Sequence, residues 1–300
     1  MSALFFAAVY AAFIWWFSTG VIFYLNARPP STFRWSMLVG TAVLLASIWG
    51  IWATAGMQTA VGAYISFTCG VLIWGWHTMS YYMGVITGPR RDAGPRRSRG
   101  WKHFLHAAET GLYHEIAIIA NAAALVLLTL DQPNQYGLWT FVVLWAMHVS
   151  AKLNVFLGVR NLNKDFIPKH MTYLTRFFRR RSMNLLFPLS VSAGTVVTVL
   201  LAQTATSPLV GEFVATGHAL IATLMALAVI EHWFMMLPIP ADALWRWSLE
   251  PAPVRRADGP DKPGRDAAEV TQNESKSIRS QPVSGRLPET GTAGHSTRGA

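Results

Sequence analysis

Histidine and glutamate side chains stand close together along one apolar stretch of the chain. The first half of residues 101–130 carries His103, His106, Glu109, His114 and Glu115. At about 100° per residue, one sector of a helix here contains His103, His106, Thr110, His114 and Asn121, while Glu115 lies off that sector. Ionisable groups in a membrane-spanning helix are costly, so they usually face a bundle interior, a partner or a cofactor. The pattern predicts an internal polar stripe.

One interpretation of these residues is a metal site, with iron as the metal. The candidate ligands are His106, Glu109, His114 and His232, with His77 and His148 as further members. Imidazole and carboxylate are ligands that iron accepts, and His106 and Glu109 lie at i and i+3 on one face. The chain has neither a repeated Glu-x-x-His pair nor a clustered set of histidines. The spacing alone is weak support for a metal site.

A second interpretation is that a histidine binds the central metal of a tetrapyrrole such as bacteriochlorophyll. The candidates are His77, His114 and His148, and His77 is preferred because small and aromatic residues share its helical face: Gly70, Trp74, Tyr81 and Gly84. Small residues would let a flat macrocycle approach, and aromatic rings could stack on it. The same stripe also suits close helix packing, where glycine is the contact residue. Both alternatives stay open.

A third interpretation is that the charged residues form structural ion pairs or a proton path. Lys152 and His148 lie at i+4 and i on one helical face. The carboxylates available to Lys152 are Glu109, Glu115 and Glu231. A buried ionic group needs a partner, so a structural role is expected for these residues.

The elements that position these residues are predicted from composition. Of 300 residues, 52% are hydrophobic and only 13% are charged. Seven apolar runs are long enough to span a bilayer, near 3–25, 35–55, 60–86, 103–130, 138–159, 185–203 and 210–237. They predict an all-α, polytopic membrane domain over residues 1–250. No cleavable signal peptide is expected, because the first run is too long and no basic segment precedes it.

Basic residues indicate the orientation of this bundle. They are concentrated after the first, third and fifth runs, and the loops on the other side have almost none. The positive-inside rule then places the N-terminus in the periplasm and the C-terminus in the cytoplasm. At about 1.5 Å per helical residue, His77, His114 and His148 lie at a similar depth, roughly 15 Å from the cytoplasmic surface.

Two further segments have distinct compositions. Residues 251–300 are rich in Pro, Gly, Ser and Thr and nearly lack large apolar residues, which predicts a disordered cytoplasmic tail. The basic stretch 160–181 has apolar residues at helical spacing, namely Ile167, Met171, Leu174 and Phe178. It is interpreted as an amphipathic helix on the membrane surface, and the alternative is an ordinary basic loop.

Several classes of protein are excluded. The net charge of +10 lies largely in short loops, so no folded basic surface for nucleic acid is expected. The single Cys69 rules out an intramolecular disulfide framework. No phosphate-binding loop, dinucleotide fingerprint or nucleophile elbow occurs.

Five short blocks in a fixed order carry a family resemblance. They are WGWH at 74–77, TGPRR at 87–91, YHE at 113–115, SAKLNVFLGVRN at 150–161 and MNLLFP at 183–188. Together they resemble the PuhE-type photosynthetic complex assembly proteins of purple bacteria, over residues 1–245. The resemblance implies a multi-pass protein of the bacterial inner (intracytoplasmic) membrane. It also implies a role in assembling reaction-centre and light-harvesting complexes and in bacteriochlorophyll supply.

The expected partners are therefore the lipid bilayer and either photosynthetic complex subunits or pigment-synthesis enzymes. The family brings no established catalytic residue set, so no catalytic residue is assigned and an enzymatic role stays open. The alternative function is an integral-membrane His/Glu metalloenzyme acting on a lipophilic pigment or lipid.

Overall fold

The apolar runs of the sequence fold into helices. The computed structural model describes residues 2–92, 100–162, 167–237 and 241–249. The α-helices are α1 Ser2–Asn26, α2 Phe33–Thr54, α3 Ala60–Tyr82, α4 Gly100–Glu109, α5 Leu112–Leu128, α6 Tyr136–Leu157, α7 Leu186–Thr206, α8 Glu212–Phe234 and α9 Arg246–Leu249. Short 3₁₀ helices cover Pro30–Thr32, Lys169–Phe177 and Ala241–Trp245. The tail predicted at residues 251–300 lies outside the described residues.

The prediction of an all-α membrane protein is confirmed. Five helices, α1, α2, α6, α7 and α8, are long and apolar enough to cross a membrane. The pair α4 and α5 makes a sixth span if it is counted as one bent unit. Large apolar side chains such as Phe5, Leu38 and Leu127 are exposed on the outer faces of these helices, as expected for a bundle that faces lipid. Length and composition thus support five or six spans, where the sequence predicted seven.

Of the seven predicted spans, α3 is the one that is not long and apolar enough to count as a membrane span. Its position in the bundle explains its lower apolarity. It packs against α1, α2, α5, α6 and α8. Its polar residues Ser66, His77 and Ser80 are buried by these neighbours. A helix surrounded by other helices does not need an apolar surface toward lipid, so it can carry the polar groups that a site requires.

Helices α3 and α6 approach each other closely at two glycines. A Cβ atom added to Gly70 would lie 2.5 Å from the carbonyl oxygen of Gly137. One added to Gly137 would lie 2.7 Å from the carbonyl oxygen of Ser66. The Gly137 N–H donates to Ser66 Oγ at 2.8 Å. Gly70 therefore serves helix packing, which was one of its two interpretations.

The polar stretch at residues 101–130, predicted as one continuous span, is two helices. Helices α4 and α5 meet at Thr110 and Gly111 with a bend of 64°. The His114 N–H, which would bond to Thr110 in an unbroken helix, donates instead to the Thr87 carbonyl at 2.9 Å. The break between α4 and α5 takes away the helical acceptor of the His114 N–H. The loop after α3 supplies the Thr87 carbonyl in its place.

The TGPRR block explains how the break is held. A Cβ atom on Gly88 would collide with the Glu109 carbonyl oxygen, so the loop lies directly against the end of α4. Arg90 Nε donates to Glu109 Oε2 at 2.7 Å, and Arg90 Nη1 donates to Asp92 at 3.0 Å. The hydrogen bond to the Glu109 side chain raises the pKa of Arg90. Residues 87–90 therefore clamp the junction of α4 and α5.

Two other family-resembling blocks meet at one asparagine. Asn184 Nδ2 donates to the carbonyl oxygens of Asn154 and Gly158, at the end of α6. Its Oδ1 accepts from the N–H groups of Leu186 and Phe187, at the start of α7. One buried amide thus caps two helices, which fixes the angle at which the chain leaves α6 and enters α7.

Candidate functional site

Three histidine side chains from three helices form a row inside the bundle. His77 comes from α3, His114 from α5 and His148 from α6. The ring centroids of His77 and His114 are 6.1 Å apart, and those of His114 and His148 are 6.2 Å apart. His77 and His114 each expose only 1% of their surface. The three candidate tetrapyrrole ligands are therefore neighbours in space.

Aromatic rings enclose this row. Tyr81 lies 4.7 Å from His114 between ring centroids, and Trp74 lies 5.2 Å from His148. Phe141 contacts His77 with 5.7 Å between ring centroids. Since α3 supplies His77, Trp74 and Tyr81, its helical spacing alone places one histidine between two aromatic residues. The neighbouring helices add the other two histidines.

The hydrogen bonding of the row is incomplete. His77 Nε2 is 3.0 Å from Asn121 Nδ2, so His77 accepts from this amide. Within the described part of the chain, no hydrogen-bond partner reaches His77 Nδ1, His114 Nδ1 or His148 Nε2. Buried polar atoms are normally paired, and unpaired ones call for an explanation such as an absent water, ion or ligand.

Replacing Asn121 with leucine tests the hydrogen bond that the His77 side chain accepts from it. Leucine has a similar shape but cannot donate, so the buried His77 Nε2 would lose its partner. We expect a loss of about 1–3 kcal/mol in the free energy of unfolding, measured by denaturant titration in detergent micelles. The double variant His77→Phe/Asn121→Leu removes both partners and should recover most of the loss. An unchanged stability of the single variant would contradict this role.

An ion pair lies beside the histidine row. Lys152 Nζ on α6 is 2.7 Å from Glu115 Oε1 on α5. Trp145 Nε1 donates to the other oxygen of Glu115 at 3.2 Å. Lys152 Nζ also lies 5.2 Å from the centroid of the Tyr81 ring. The carboxylate is thus held on both oxygens, and the ammonium has a second, aromatic neighbour.

A cavity of about 440 Å³ opens next to this ion pair. Its polar wall is formed by His148, Lys152, Glu115 and Thr110. Tyr81 and Tyr82 on α3 also line it. Most of the remaining lining is apolar and comes from α4, α6 and the 3₁₀ helix Lys169–Phe177 with its flanks, including Phe104, Leu153, Phe156, Ile167, Met171, Leu174, Phe177 and Phe178. A mainly apolar space with a few convergent polar groups is the usual form of a small-molecule site.

The basic stretch after α6 supplies one wall of this cavity. Ile167, Met171, Leu174 and Phe178, the apolar residues at helical spacing, all line it. Met171 and Phe177 are buried. The sequence predicted an amphipathic α-helix here, whereas the structure has a 3₁₀ helix over Lys169–Phe177. The apolar side of this 3₁₀ helix faces the cavity of the protein.

Other residues singled out from the sequence lie apart from the row. His232 Nε2 is 2.9 Å from Ser150 Oγ on α6, and His232 Nδ1 donates to the Ala228 carbonyl oxygen of its own helix at 2.8 Å, so both ring nitrogens already have partners. Glu109 pairs with Arg90. The described structure pairs Lys152 with Glu115, and Glu231 is exposed on α8.

A different set of potential metal ligands comes together. One ligand atom from each of His114, Glu115 and His148 lies within 4.8 Å of the other two. Across the described ranges, the set His106, Glu109, His114 and His232 does not form such a group. The sequence places Glu115 off the polar stripe, yet Glu115 is the carboxylate that joins His114 and His148 in this group. As neighbours in sequence, His114 and Glu115 point about 100° apart: His114 lies between α3 and α6, and Glu115 reaches Trp145 and Lys152 on α6.

Together these features define a class: an all-helical membrane protein with a buried histidine row beside an apolar cavity. Residues 1–256 match the family described as "Protein of unknown function (DUF3623)", and the chain belongs to that family. It is 37% identical over 247 residues to an uncharacterized 30.4 kDa protein in the puhA 5′ region of Rhodobacter capsulatus. The aligned part covers 81% of this chain and 89% of that relative. No solved structure matches the chain.

Proposed function

We propose that this protein is an assembly factor for photosynthetic reaction-centre and light-harvesting complexes that handles bacteriochlorophyll. The observation that carries the proposal is the row of His77, His114 and His148 beside an apolar cavity. The R. capsulatus relative in the puhA region supports a photosynthetic context. The proposed location is the bacterial inner (intracytoplasmic) membrane, with the N-terminus in the periplasm and the C-terminus in the cytoplasm.

The chemistry of the site suits a lipophilic pigment. A neutral imidazole nitrogen without a hydrogen-bond partner is available to bind the central metal of a tetrapyrrole, and His148 lies in the cavity wall. The apolar lining would accommodate hydrocarbon, since burying apolar surface from water is favourable. The partners in this proposal are pigment-synthesis enzymes or nascent complex subunits, which would deliver or receive the pigment.

Deleting the gene in a phototrophic host tests the function. We expect lower bacteriochlorophyll content and fewer core complexes, both measured from the absorption spectrum of isolated membranes. The wild-type gene and the variant His170→Ala, whose side chain is exposed, should restore both. The variant His148→Leu should not. Unchanged pigment and complex levels after deletion would refute the assembly role.

The absorption spectrum of the protein purified in detergent from the same host tests the pigment itself. A bound tetrapyrrole that is lost in His148→Leu and retained in His170→Ala is the expected result. A colourless protein from a pigment-replete host would argue against direct handling.

A further inference from the structure

We propose that His114, Glu115 and His148 form a binding site for a divalent transition metal, with Lys152 as a built-in competitor for the carboxylate. The inference concerns a free cation and stands independently of pigment handling. Two imidazoles and one carboxylate offer ligand atoms within 4.8 Å of one another. Imidazole and carboxylate together suit zinc, iron and cobalt more than calcium or magnesium.

Unsatisfied nitrogen atoms are a second, independent sign of a ligand here. His114 is almost fully buried, and none of the described residues offers its Nδ1 a hydrogen-bond partner. His148 is half-buried, but its Nε2 atom is buried and likewise has no hydrogen-bond partner in the described part of the chain. A neutral imidazole has one acceptor nitrogen, and a metal ion is a partner that such a nitrogen readily takes.

Neighbouring groups already fix the orientation of the three side chains. The His114 ring lies against the Tyr81 ring, and the His148 ring lies against Trp74. Trp145 Nε1 holds one oxygen of Glu115. Outer contacts of this kind orient metal ligands in proteins and are a regular part of metal sites.

The positive charge of Lys152 opposes the binding of a cation at Glu115. Tyr81 offers the Lys152 ammonium a second position. The ammonium now neutralises Glu115 at 2.7 Å. The ring of Tyr81 lies 5.2 Å from the same nitrogen and could hold the ammonium by a cation–π contact. Metal binding would therefore exchange one counterion of Glu115 for another, with Lys152 moving along the cavity wall.

The open side of the proposed centre faces the cavity. His148 and Glu115 both line the cavity, while His114 stands behind them. Three protein ligands leave coordination positions vacant on a four- to six-coordinate metal. A polar group of a lipophilic molecule in the cavity could then bind the metal directly. The expected ligand is therefore an apolar compound with one oxygen or nitrogen donor.

Titration of the full-length protein with Co²⁺ tests this site. The protein is produced in a non-phototrophic host, so that no bacteriochlorophyll is present, and is purified in detergent and treated with a chelator. We expect one Co²⁺ per chain by calorimetry, with visible absorption bands from cobalt bound to nitrogen and oxygen. His114→Ala, His148→Ala and Glu115→Gln should each weaken binding by at least about 100-fold, since even the loss of an outer partner of a metal ligand costs about 10–100-fold. His170→Ala, which removes an exposed histidine, should leave it unchanged.

Lys152→Met gives the sharpest result, because removal of the competing charge should tighten Co²⁺ binding by about tenfold or more. Circular dichroism checks that each variant is folded, and His148→Gln replaces His148→Ala if the latter is not. Wild-type affinity in all three ligand variants, no Co²⁺ binding in the wild type, or weaker binding in Lys152→Met would overturn the proposal. A protein that binds a tetrapyrrole but no Co²⁺ overturns this inference and leaves the proposed function standing.

Discussion

Replacing Gly70 with alanine is expected to lower the free energy of unfolding by about 3 kcal/mol. The new methyl group would lie 2.5 Å from the Gly137 carbonyl oxygen and 2.9 Å from Thr140 Cβ on α6. Neither neighbour is the end of a flexible side chain, so α3 and α6 would have to move apart. His77 and His148 lie on these two helices, so the histidine row should be disturbed as well.

Gly75→Ala is the matched control, because it lies on the same helix. Among the described residues, a Cβ at Gly75 would contact Ile22 Cδ1 alone, at an ordinary 3.5 Å. Alanine is the better helix former by about 0.5–1 kcal/mol, so this variant should be as stable as wild type or slightly more stable. Denaturant titration in detergent micelles, followed by circular dichroism, measures the free energy of unfolding of both variants. Equal stability of the two variants would show that the α3–α6 contact is looser than described.

Glu115→Gln is the second change expected to have a large effect. It leaves the Lys152 ammonium without its counterion beside a largely apolar cavity. Breaking a fully buried pair costs about 3–5 kcal/mol. The side chains of Lys152 and Glu115 are 36% and 29% exposed. Because this exposure allows some screening, we expect a loss of about 2–3 kcal/mol.

A double-mutant cycle separates the ion pair from other effects of the substitution. Glu115→Gln/Lys152→Met removes both charges and should return to within about 1 kcal/mol of wild type. Lys152→Met alone leaves a lone carboxylate and should be destabilised like Glu115→Gln. The same unfolding assay in micelles gives the free energy of unfolding of the wild type, the two single variants and the double variant. Additive losses in the double variant would mean that Glu115 and Lys152 do not interact.

Composition and apolar run length determined the class of this protein. Long runs without charge can satisfy their backbone groups in a bilayer only as helices, so an all-α membrane protein follows from the sequence. The polar exceptions within those runs, such as His77 and Lys152, were also visible, because ionisable residues in spanning helices are rare and costly.

The sequence could not give the relations between helices. Glu115 was one of three possible partners for Lys152, and helical spacing could not choose among them because the three glutamates lie on different helices or faces. The loop residues Thr87 and Gly88 contact the chain on either side of the bend at Thr110 and lie more than 20 residues before it in sequence. Contacts of this kind depend on how loops return to the bundle, which helical periodicity does not encode.

The sequence by itself therefore determined that histidines and carboxylates lie within a helical membrane bundle, because burial of charge in apolar runs is a local property of the chain. Only the tertiary structure decided which of them meet. It brings His77, His114 and His148 into one row, pairs Lys152 with Glu115 and turns His232 toward Ser150. The reason is physical: side-chain direction on each helix is set locally, but the neighbour it faces depends on how distant helices pack.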